Sequence, residues 1–288
     1  MGADSGRFKL SYEQADAIMA KIHELTVKKA FSLHMDSERK PSIFDSKFGG
    51  IPYWDSSKEY PTAFTGEKLM LLAQINLEDI GGNDLLPDSG MLQFFVLCDD
   101  VYGCSFSDIE GADGFAVVWH EKVDWSVTPE DVLALGIPTS DAITDDDILT
   151  PIKGECAVKI EYTEVPMGME VAGFDELFRK TADELGIDIP EEEHYICLML
   201  PDEWCDANPN PNIGHWMLGY PYFTQFDPRY KEELQRYDTL LLQIDSDCNK
   251  DGSCEIMWGD SGVAGFFINE EDLKERNFAR ILYTWDCC

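Results

Sequence analysis

Two similar stretches recur along this chain, and the repeat restricts its possible folds more than any other feature. Leu71-Leu-Ala-Gln74-Ile-Asn76 reappears as Leu240-Leu-Leu-Gln243-Ile-Asp245, and Gly50-Ile-Pro52-Tyr53 reappears as Gly219-Tyr-Pro221-Tyr222 at the same offset. After a short insertion, the Ser89-Gly90 dipeptide and the following Phe94-Phe95 pair recur at Ser261-Gly262 and Phe266-Phe267. Shared hydrophobicity explains apolar strands but not the repeated Gln and Ser-Gly. We therefore predict an internally duplicated supersecondary unit.

Each copy, at about residues 48–97 and 217–268, has the pattern of a strand, a turn and a second strand. The strand at residues 91–97 is apolar enough to be buried on both faces. Two such units, each with an apolar face, are expected to pack around a pseudo-twofold axis into one core. The sequence thus predicts a single α+β domain, mainly β, that spans residues 1–288 and contains an internally duplicated strand–turn–strand unit.

Helical patterns lie outside the two copies. Residues 11–34 are predicted to form an N-terminal helix, because Ser11 and Gln14 have the spacing of a capping box and apolar residues follow at helical intervals. A second helix is predicted at 174–185, where apolar residues share one side. Tyr195–Leu200 instead has the composition of a strand.

The acidic balance of the chain bears on its partners. It has 22 Lys and Arg against 56 Asp and Glu, a formal net charge of −34. Such a field repels nucleic-acid phosphates and anionic lipid, so we expect neither nucleic acid nor a membrane surface as partner. A basic protein partner or divalent cations suit this charge, although solubility alone also explains it.

Cysteine spacing and the first residues indicate a compartment. The nine cysteines are odd in number and contain no Cys-x-x-Cys pair, so neither a disulfide framework nor a zinc ribbon is predicted. Residues 1–8 lack the basic and apolar regions of a secretory signal, and no window is apolar enough for a membrane span. We expect a reduced, cytoplasmic protein.

Five histidines and two recurring glutamines are the main polar candidates for a site. The glutamines, Gln74 and Gln243, are expected to satisfy backbone groups where sheets meet, with ligand contact as the alternative. His215 is the best functional candidate among the histidines, because tyrosines and Asp227 follow it closely. A core or capping role is its ordinary alternative. The default place for a ligand is the groove between the copies.

A calcium-like pattern lies in the loop after Asp245. Asp247-x-Asn249-x-Asp251-Gly252 reproduces the first half of an EF-hand loop, in which alternate oxygens converge on the ion. Position twelve is Trp258 where a bidentate Glu is required, and no helical pattern follows. The ordinary alternative is a hairpin loop. Calcium is the one cofactor that this pattern suggests, with Asp247, Asn249 and Asp251 as the predicted ligands.

Catalytic patterns are incomplete. Gly259-Asp-Ser-Gly262 is similar to the nucleophile segment of trypsin-like proteases, but no His stands in the matching context. No His lies at zinc-ligand spacing from another His or a Cys. No phosphate-binding Gly loop or dinucleotide fingerprint is present. The sequence argues against an enzyme without excluding one of unknown type.

From about Phe44 to Trp285 the chain resembles the YwqG-like family, a bacterial family of unknown function. The resemblance is carried by six segments, namely Leu71–Asn76, Gly90–Phe95, Asp99–Gly103, Gly219–Pro228, Leu241–Asp247 and Ile256–Asp260. It implies a mainly β, roll-like fold with peripheral helices. It brings no established activity, cofactor or catalytic residue, and an immunity-like interaction role is its one functional implication. The insert Cys248–Cys254 departs from the family pattern.

Three hypotheses follow. The first is a non-catalytic binding or protein-interaction module with an acidic surface. The second is a small-molecule or divalent-cation site in the groove between the copies. The third is an enzyme of unknown type. The candidate ligand-binding residues are His215, Tyr222, Gln74, Gln243, Asp245, Trp258 and Asp260.

Overall fold

The computed structural model describes residues 8–142 and 149–288, so the predicted lack of a signal at the N-terminus lies outside the described residues. The helices in these ranges are α1 (Tyr12–Thr26), α2 (Pro129–Leu133), α3 (Phe174–Glu184), α4 (Ile196–Met199), α5 (Asp202–Ala207) and α6 (Glu270–Lys274). The strands are β1 (Lys28–Asp36), β2 (Lys47–Gly49), β3 (Met70–Asn76), β4 (Met91–Val96), β5 (Phe115–His120), β6 (Ile152–Val165), β7 (His215–Leu218), β8 (Thr239–Asp245), β9 (Asp247–Cys248), β10 (Cys254–Ile256), β11 (Val263–Ile268) and β12 (Ile281–Asp286).

One antiparallel sheet contains all these strands, in the order β12-β11-β8-β7-β1-β6-β2-β3-β4-β5. The middle pair is β1 and β6, which are in register from Lys28 opposite Val165 to Asp36 opposite Ala157. The first half of the chain supplies the strands on one side of this pair, and the second half supplies those on the other. The short β9–β10 hairpin joins the sheet where β10 pairs with the beginning of β6.

The sheet curves until its two ends face each other, which produces a nearly closed barrel. The rings of Phe115 on β5 and Tyr283 on β12 have centroids 5.1 Å apart, and those of Phe94 on β4 and Phe266 on β11 are also 5.1 Å apart. Aromatic and aliphatic side chains from both halves thus fill one core, because the apolar inner faces of the two ends of the sheet pack against each other. The prediction of a mainly β single domain is confirmed. These strands of the two halves enclose the core, and a separate pocket of about 530 Å³ lies between the copies, where Asp84 and Leu85 face Leu218 and Gly219, so the predicted ligand site in the groove stays a prediction.

The predicted helix at residues 11–34 is wrong in its second half. The capping box of Ser11 and Gln14 starts α1 as expected, but α1 ends at Thr26 and residues 28–36 form strand β1. The side chains from Ala30 to Leu33 are buried because β1 lies between β6 and β7. Pairing on both edges in the middle of the sheet outweighs the local helical pattern.

A second, smaller core lies under the helices. The buried residues of α1 pack with Phe174 and Phe178 of α3 and with side chains of α4 and α5. The strand predicted at Tyr195–Leu200 is wrong, because Ile196–Met199 forms α4. Ile196 and Met199 are three residues apart, so one helical turn places both in this apolar cluster. None of the helices in the described ranges is both long and apolar enough to cross a bilayer.

Candidate functional site

A pocket of about 670 Å³ opens where the β9–β10 hairpin meets β1, β6 and the start of β7. This volume is in the range of about 300–1,000 Å³ that is usual for small-molecule sites. The pocket contains three of the residues that the sequence singled out, His215, Asp247 and Asn249. Its lining consists of Ser32, Leu33, His34, Met35, Glu161, Tyr162, Thr163, Ile213, Gly214, His215, Trp216, Asp247, Cys248, Asn249 and Lys250.

His215 is the most enclosed polar side chain of this pocket. Its side chain is only 3% exposed, and its ring packs against Phe48 with a centroid distance of 4.9 Å. The backbone N–H of Asp245 donates to His215 Nδ1 at 3.0 Å. His215 Nε2 lies 3.4 Å from Asp247 Oδ2, but among the described residues it has no partner aligned for a hydrogen bond.

The bond from Asp245 assigns the tautomer of His215. A nitrogen that accepts from a backbone N–H must present its lone pair, so the proton of the neutral ring is on Nε2. Nε2–H is therefore a donor next to the Asp247 carboxylate at the pocket. A metal on Nε2 would need the opposite tautomer, in which Nδ1–H donates to an acceptor. A general base would need a free lone pair on the pocket side.

Two carboxylates flank this imidazole and differ in their surroundings. Burial raises the pKa of Asp245, and the N–H groups of Gly214 and Ser246, which donate to its oxygens at 2.9 and 2.8 Å, oppose that rise. The nearby His215 ring lowers the pKa of Asp247, whose side chain is 53% exposed. Asp247 Oδ1 accepts from the N–H of Cys248 at 2.7 Å. Asp247 is thus ionised at neutral pH, with Oδ2 facing the pocket.

The loop with the calcium-like pattern is a tight hairpin turn. The N–H of Gly252 donates to the carbonyl of Asn249, and the N–H of Asn249 donates to the carbonyl of Cys254. Asp251 Oδ1 accepts from the N–H of Ser253, and Asn249 Nδ2 donates to Ser253 Oγ. Within residues 8–142 and 149–288, no three or more His, Cys, Asp or Glu form a group suited to a metal. Calcium at Asp247, Asn249 and Asp251 stays a prediction.

Aromatic side chains form another part of the pocket. Trp216 donates its indole N–H to the carbonyl of Ile213 at 3.1 Å, and the Tyr162 hydroxyl donates to Glu164 at 3.2 Å. Tyr162 also packs edge-on against Phe31, with a centroid distance of 5.9 Å. Because their polar atoms are already bonded, these two side chains can offer mainly their ring surfaces to a ligand.

The two glutamines hold loops in place. Gln74 Oε1 accepts from the N–H of Tyr53 at 2.8 Å, and its Nε2 donates to the carbonyls of Ile43 and Asp45 at 2.9 Å. In the other half, Gln243 Oε1 accepts from the N–H of Tyr222 at 2.7 Å. Its Nε2 donates to the carbonyls of Asn212 and Gly214 at 2.8 Å. The expectation that these amides satisfy backbone groups agrees with these bonds.

The remaining candidates are dispersed. Trp258 is fully buried in the barrel core between Tyr102, Tyr283 and Trp285, so its ligand role stays a prediction without support from its position. Asp260 is exposed in the next turn, and neither it nor Tyr222 is among the residues that line the His215 pocket. The structure therefore brings His215, Asp245 and Asp247 together and separates them from the others.

Sequence reasoning missed Ser32, Tyr162 and Trp216 as pocket residues. Ser32 is on β1, which we predicted as helix, so its position opposite Glu161 and Trp216 was not accessible from the sequence. Trp216 follows His215 directly, and its adjacency was the one signal available. A strand prediction for residues 28–36 would have been needed to find the rest.

Comparison with known protein families identifies the family of this chain. None of the curated proteins searched matches the chain. Residues 46–287 match the model of the family described as "Domain of unknown function (DUF1963)". The match spans the barrel and the His215 pocket except for the part formed by β1. The chain is a member of this domain-of-unknown-function family, DUF1963.

Proposed function

We propose that this protein is a non-catalytic binding protein and that the His215 pocket holds a small polar ligand. The carrying observation is His215 itself, a buried imidazole in the lining of the pocket whose Nε2–H has no aligned acceptor among the described residues. A buried donor left unpaired costs about 1–3 kcal/mol, and a ligand that pairs it recovers that free energy. The orientation of the ring favours binding over general-base chemistry, because the pocket side carries the proton and not the lone pair.

A ligand screen tests this proposal. A library of polar fragments is screened by ligand-observed NMR against the wild type and the Asp247→Ala variant. We expect fragments that bind the wild type and lose at least tenfold in affinity in the variant. Asp260→Ala is the matched control, because it removes the same charge from an exposed turn outside the pocket. A screen in which no fragment distinguishes Asp247→Ala from Asp260→Ala contradicts the proposal.

A basic protein partner is the second candidate function, favoured by the net charge of −34. Electrostatic steering would bring such a partner to an acidic surface, and its association would weaken with salt. An affinity-capture experiment at low and moderate salt tests it. Capture of a basic protein that is lost at moderate salt supports this role, and the absence of any basic protein at low salt contradicts it.

The finer family features are also proposals. We propose that the chain is a YwqG-like protein of the bacterial cytoplasm and that its two halves arose by duplication. The duplication is supported by the hydrogen bonds of Gln74 and Gln243, whose partners correspond one to one at the same offset as in the sequence repeat. Both halves also have a register shift at corresponding positions, between Leu71 and Ala73 in the first half and between Leu240 and Leu242 in the second.

A further inference from the structure

The pocket contains a donor and an acceptor that a single ligand atom can join. His215 Nε2–H donates, Asp247 Oδ2 accepts, and the two atoms are 3.4 Å apart without an aligned hydrogen bond between them. A hydroxyl oxygen can accept from the first and donate to the second at the same time. We propose that the His215 pocket binds a neutral ligand rich in hydroxyl groups, of the sugar or polyol class, with one hydroxyl bridging His215 Nε2 and Asp247 Oδ2. This inference rests on the proposed function of the pocket.

Charged ligands fit these two atoms less well. A carboxylate or phosphate would accept from His215 but would face the Asp247 carboxylate, with buried Asp245 behind the ring. An ammonium group would pair with Asp247 but would direct its N–H donors at the Nε2–H donor. A cation such as calcium likewise gains from Asp247 and loses at Nε2–H. A neutral hydroxyl satisfies both groups without adding a charge to a partly buried site.

The rest of the lining fits a sugar or polyol. The Tyr162 ring, which lies on the same face of the sheet as His215, supplies apolar surface, and its hydroxyl is already bonded to Glu164. Such surfaces suit the C–H faces of a sugar ring. Ser32 Oγ lies 3.0 Å from His34 Nε2 and donates to the carbonyl of Glu161 at 3.3 Å, so further hydrogen-bonding groups line the part of the pocket on the other face of the sheet. One pocket thus combines aromatic surface with several fixed polar atoms.

Saturation-transfer NMR with neutral sugars tests the inference. The probes are D-glucose, D-galactose, D-mannose, N-acetyl-D-glucosamine and myo-inositol, each at millimolar concentration with the full-length protein. We expect transfer to at least one probe, and its affinity should fall at least tenfold in Asp247→Asn and be unchanged in Asp260→Asn. Tyr162→Ala serves as a second variant, in which the affinity for the probe should fall because a ring on the same face of the sheet as His215 is removed. Asp247 is half exposed, so Asp247→Asn is expected to fold.

Each result has a defined meaning. Transfer to a probe that depends on Asp247 supports the inference. An absence of transfer to all five probes overturns it, as does binding that Asp247→Asn leaves unchanged. If the fragment library still gives hits that depend on Asp247, the pocket remains a binding site and only the ligand class is wrong. If neither the library nor the sugars respond, the proposed function fails as well. A change of the His215 NMR signals on addition of calcium chloride alone would also overturn the inference, because the ligand would then be a cation.

Discussion

Ser46 and His215 occupy corresponding places in the two halves, yet only His215 faces a pocket. Ser46 Oγ accepts the N–H of Asn76 at 2.9 Å and donates to Asp79 at 2.6 Å, and Ser46 is fully buried. His215 Nδ1 accepts the N–H of Asp245 at 3.0 Å, while Nε2 stands 3.4 Å from Asp247 without an aligned bond. The same backbone donor is satisfied in both halves. The hydrogen bonds of Ser46 are therefore complete, and we call the first half closed. His215 Nε2 has no aligned partner among the described residues, and we call the second half open.

This difference separates scaffold from site. The glutamine bonds that fix the loops are common to both halves, so they explain the fold and not a function. The larger imidazole and the β9–β10 hairpin, which brings Asp247, belong to the second half alone. In the first half the neighbouring polar groups are instead sealed, since Gln93 donates to Gln74 and His120 contacts Gln93 at 3.0 Å. A shared framework thus leaves one position available for a ligand.

The largest expected effect is from the shared glutamines. Gln74→Leu and Gln243→Leu each leave three buried backbone groups without a partner, so we expect each variant to lose about 3–5 kcal/mol of stability. The loss should be greater for Gln74→Leu, because Gln93 also loses its acceptor. Urea denaturation measures both, with the exposed Gln235→Leu as the control. If either core variant is as stable as the wild type, the glutamines do not hold the framework.

The buried His120 of the first half should make the stability of the protein depend on pH. Burial, aided by the nearby Lys58, lowers the pKa of His120 to about 4. Between an unfolded value of about 6.5 and this folded value, the unfolded chain binds a proton that the folded chain excludes, so stability falls as pH falls, on the order of 3 kcal/mol in total. Denaturation at pH 7, 5.5 and 4.5 measures this fall. It should be smaller in His120→Gln and unchanged in the exposed His194→Gln.

Replacing His215 by serine, the residue at the corresponding position of the first half, should have an intermediate effect on stability. His215→Ser introduces the first-half residue, which can still accept the N–H of Asp245 but loses the contact with Phe48. We expect a loss of about 1–2 kcal/mol, near the low end for removing a buried side chain, together with the loss of ligand binding. His194→Ser, in an exposed residue outside the pocket, is the control. Retained binding in His215→Ser would remove the imidazole from the site.

The smallest effect on stability is expected at the site's carboxylate. Asp247→Asn should cost less than about 1 kcal/mol at pH 7, because the side chain is half exposed and its contact with His215 is not an aligned hydrogen bond. Asp79→Asn should cost more, since Asp79 accepts a hydrogen bond of 2.6 Å from Ser46. Urea denaturation of the two variants measures this order. A larger loss of stability in Asp247→Asn than in Asp79→Asn would contradict the account, because the hydrogen bond of Asp79 would then contribute less than the contact of Asp247 with His215.

The sequence was most informative where structure is local. The strands with recurring Leu-Leu-x-Gln-Ile and Phe-Phe patterns are β3, β4, β8 and β11. By contrast, β1 carries a helical pattern, and β2 and β7 are too short to show an alternation of their own. Their strand state depends on pairing with distant segments. Sequence cannot show such pairing.

The site was predictable in part for the same reason. His215 and the Asp247–Asp251 loop were identified from residue type and spacing. The grouping of the other candidates could not be predicted, because the fold buries Trp258 in the core and leaves Tyr222 and Asp260 outside this pocket. The tautomer of His215 also depends on a donor from a strand that lies far along the chain.

The position of the His215 ring proton tests the account most directly. A long-range ¹H–¹⁵N NMR spectrum of the histidine rings, assigned with His215→Ser, reports which nitrogen carries it at neutral pH. The account predicts a proton on Nε2 and a lone pair on Nδ1, which is the form that offers a donor to a hydroxyl ligand. A proton on Nδ1 would contradict it, because His215 would then present a lone pair to the pocket and Asp245 N–H would have no acceptor there.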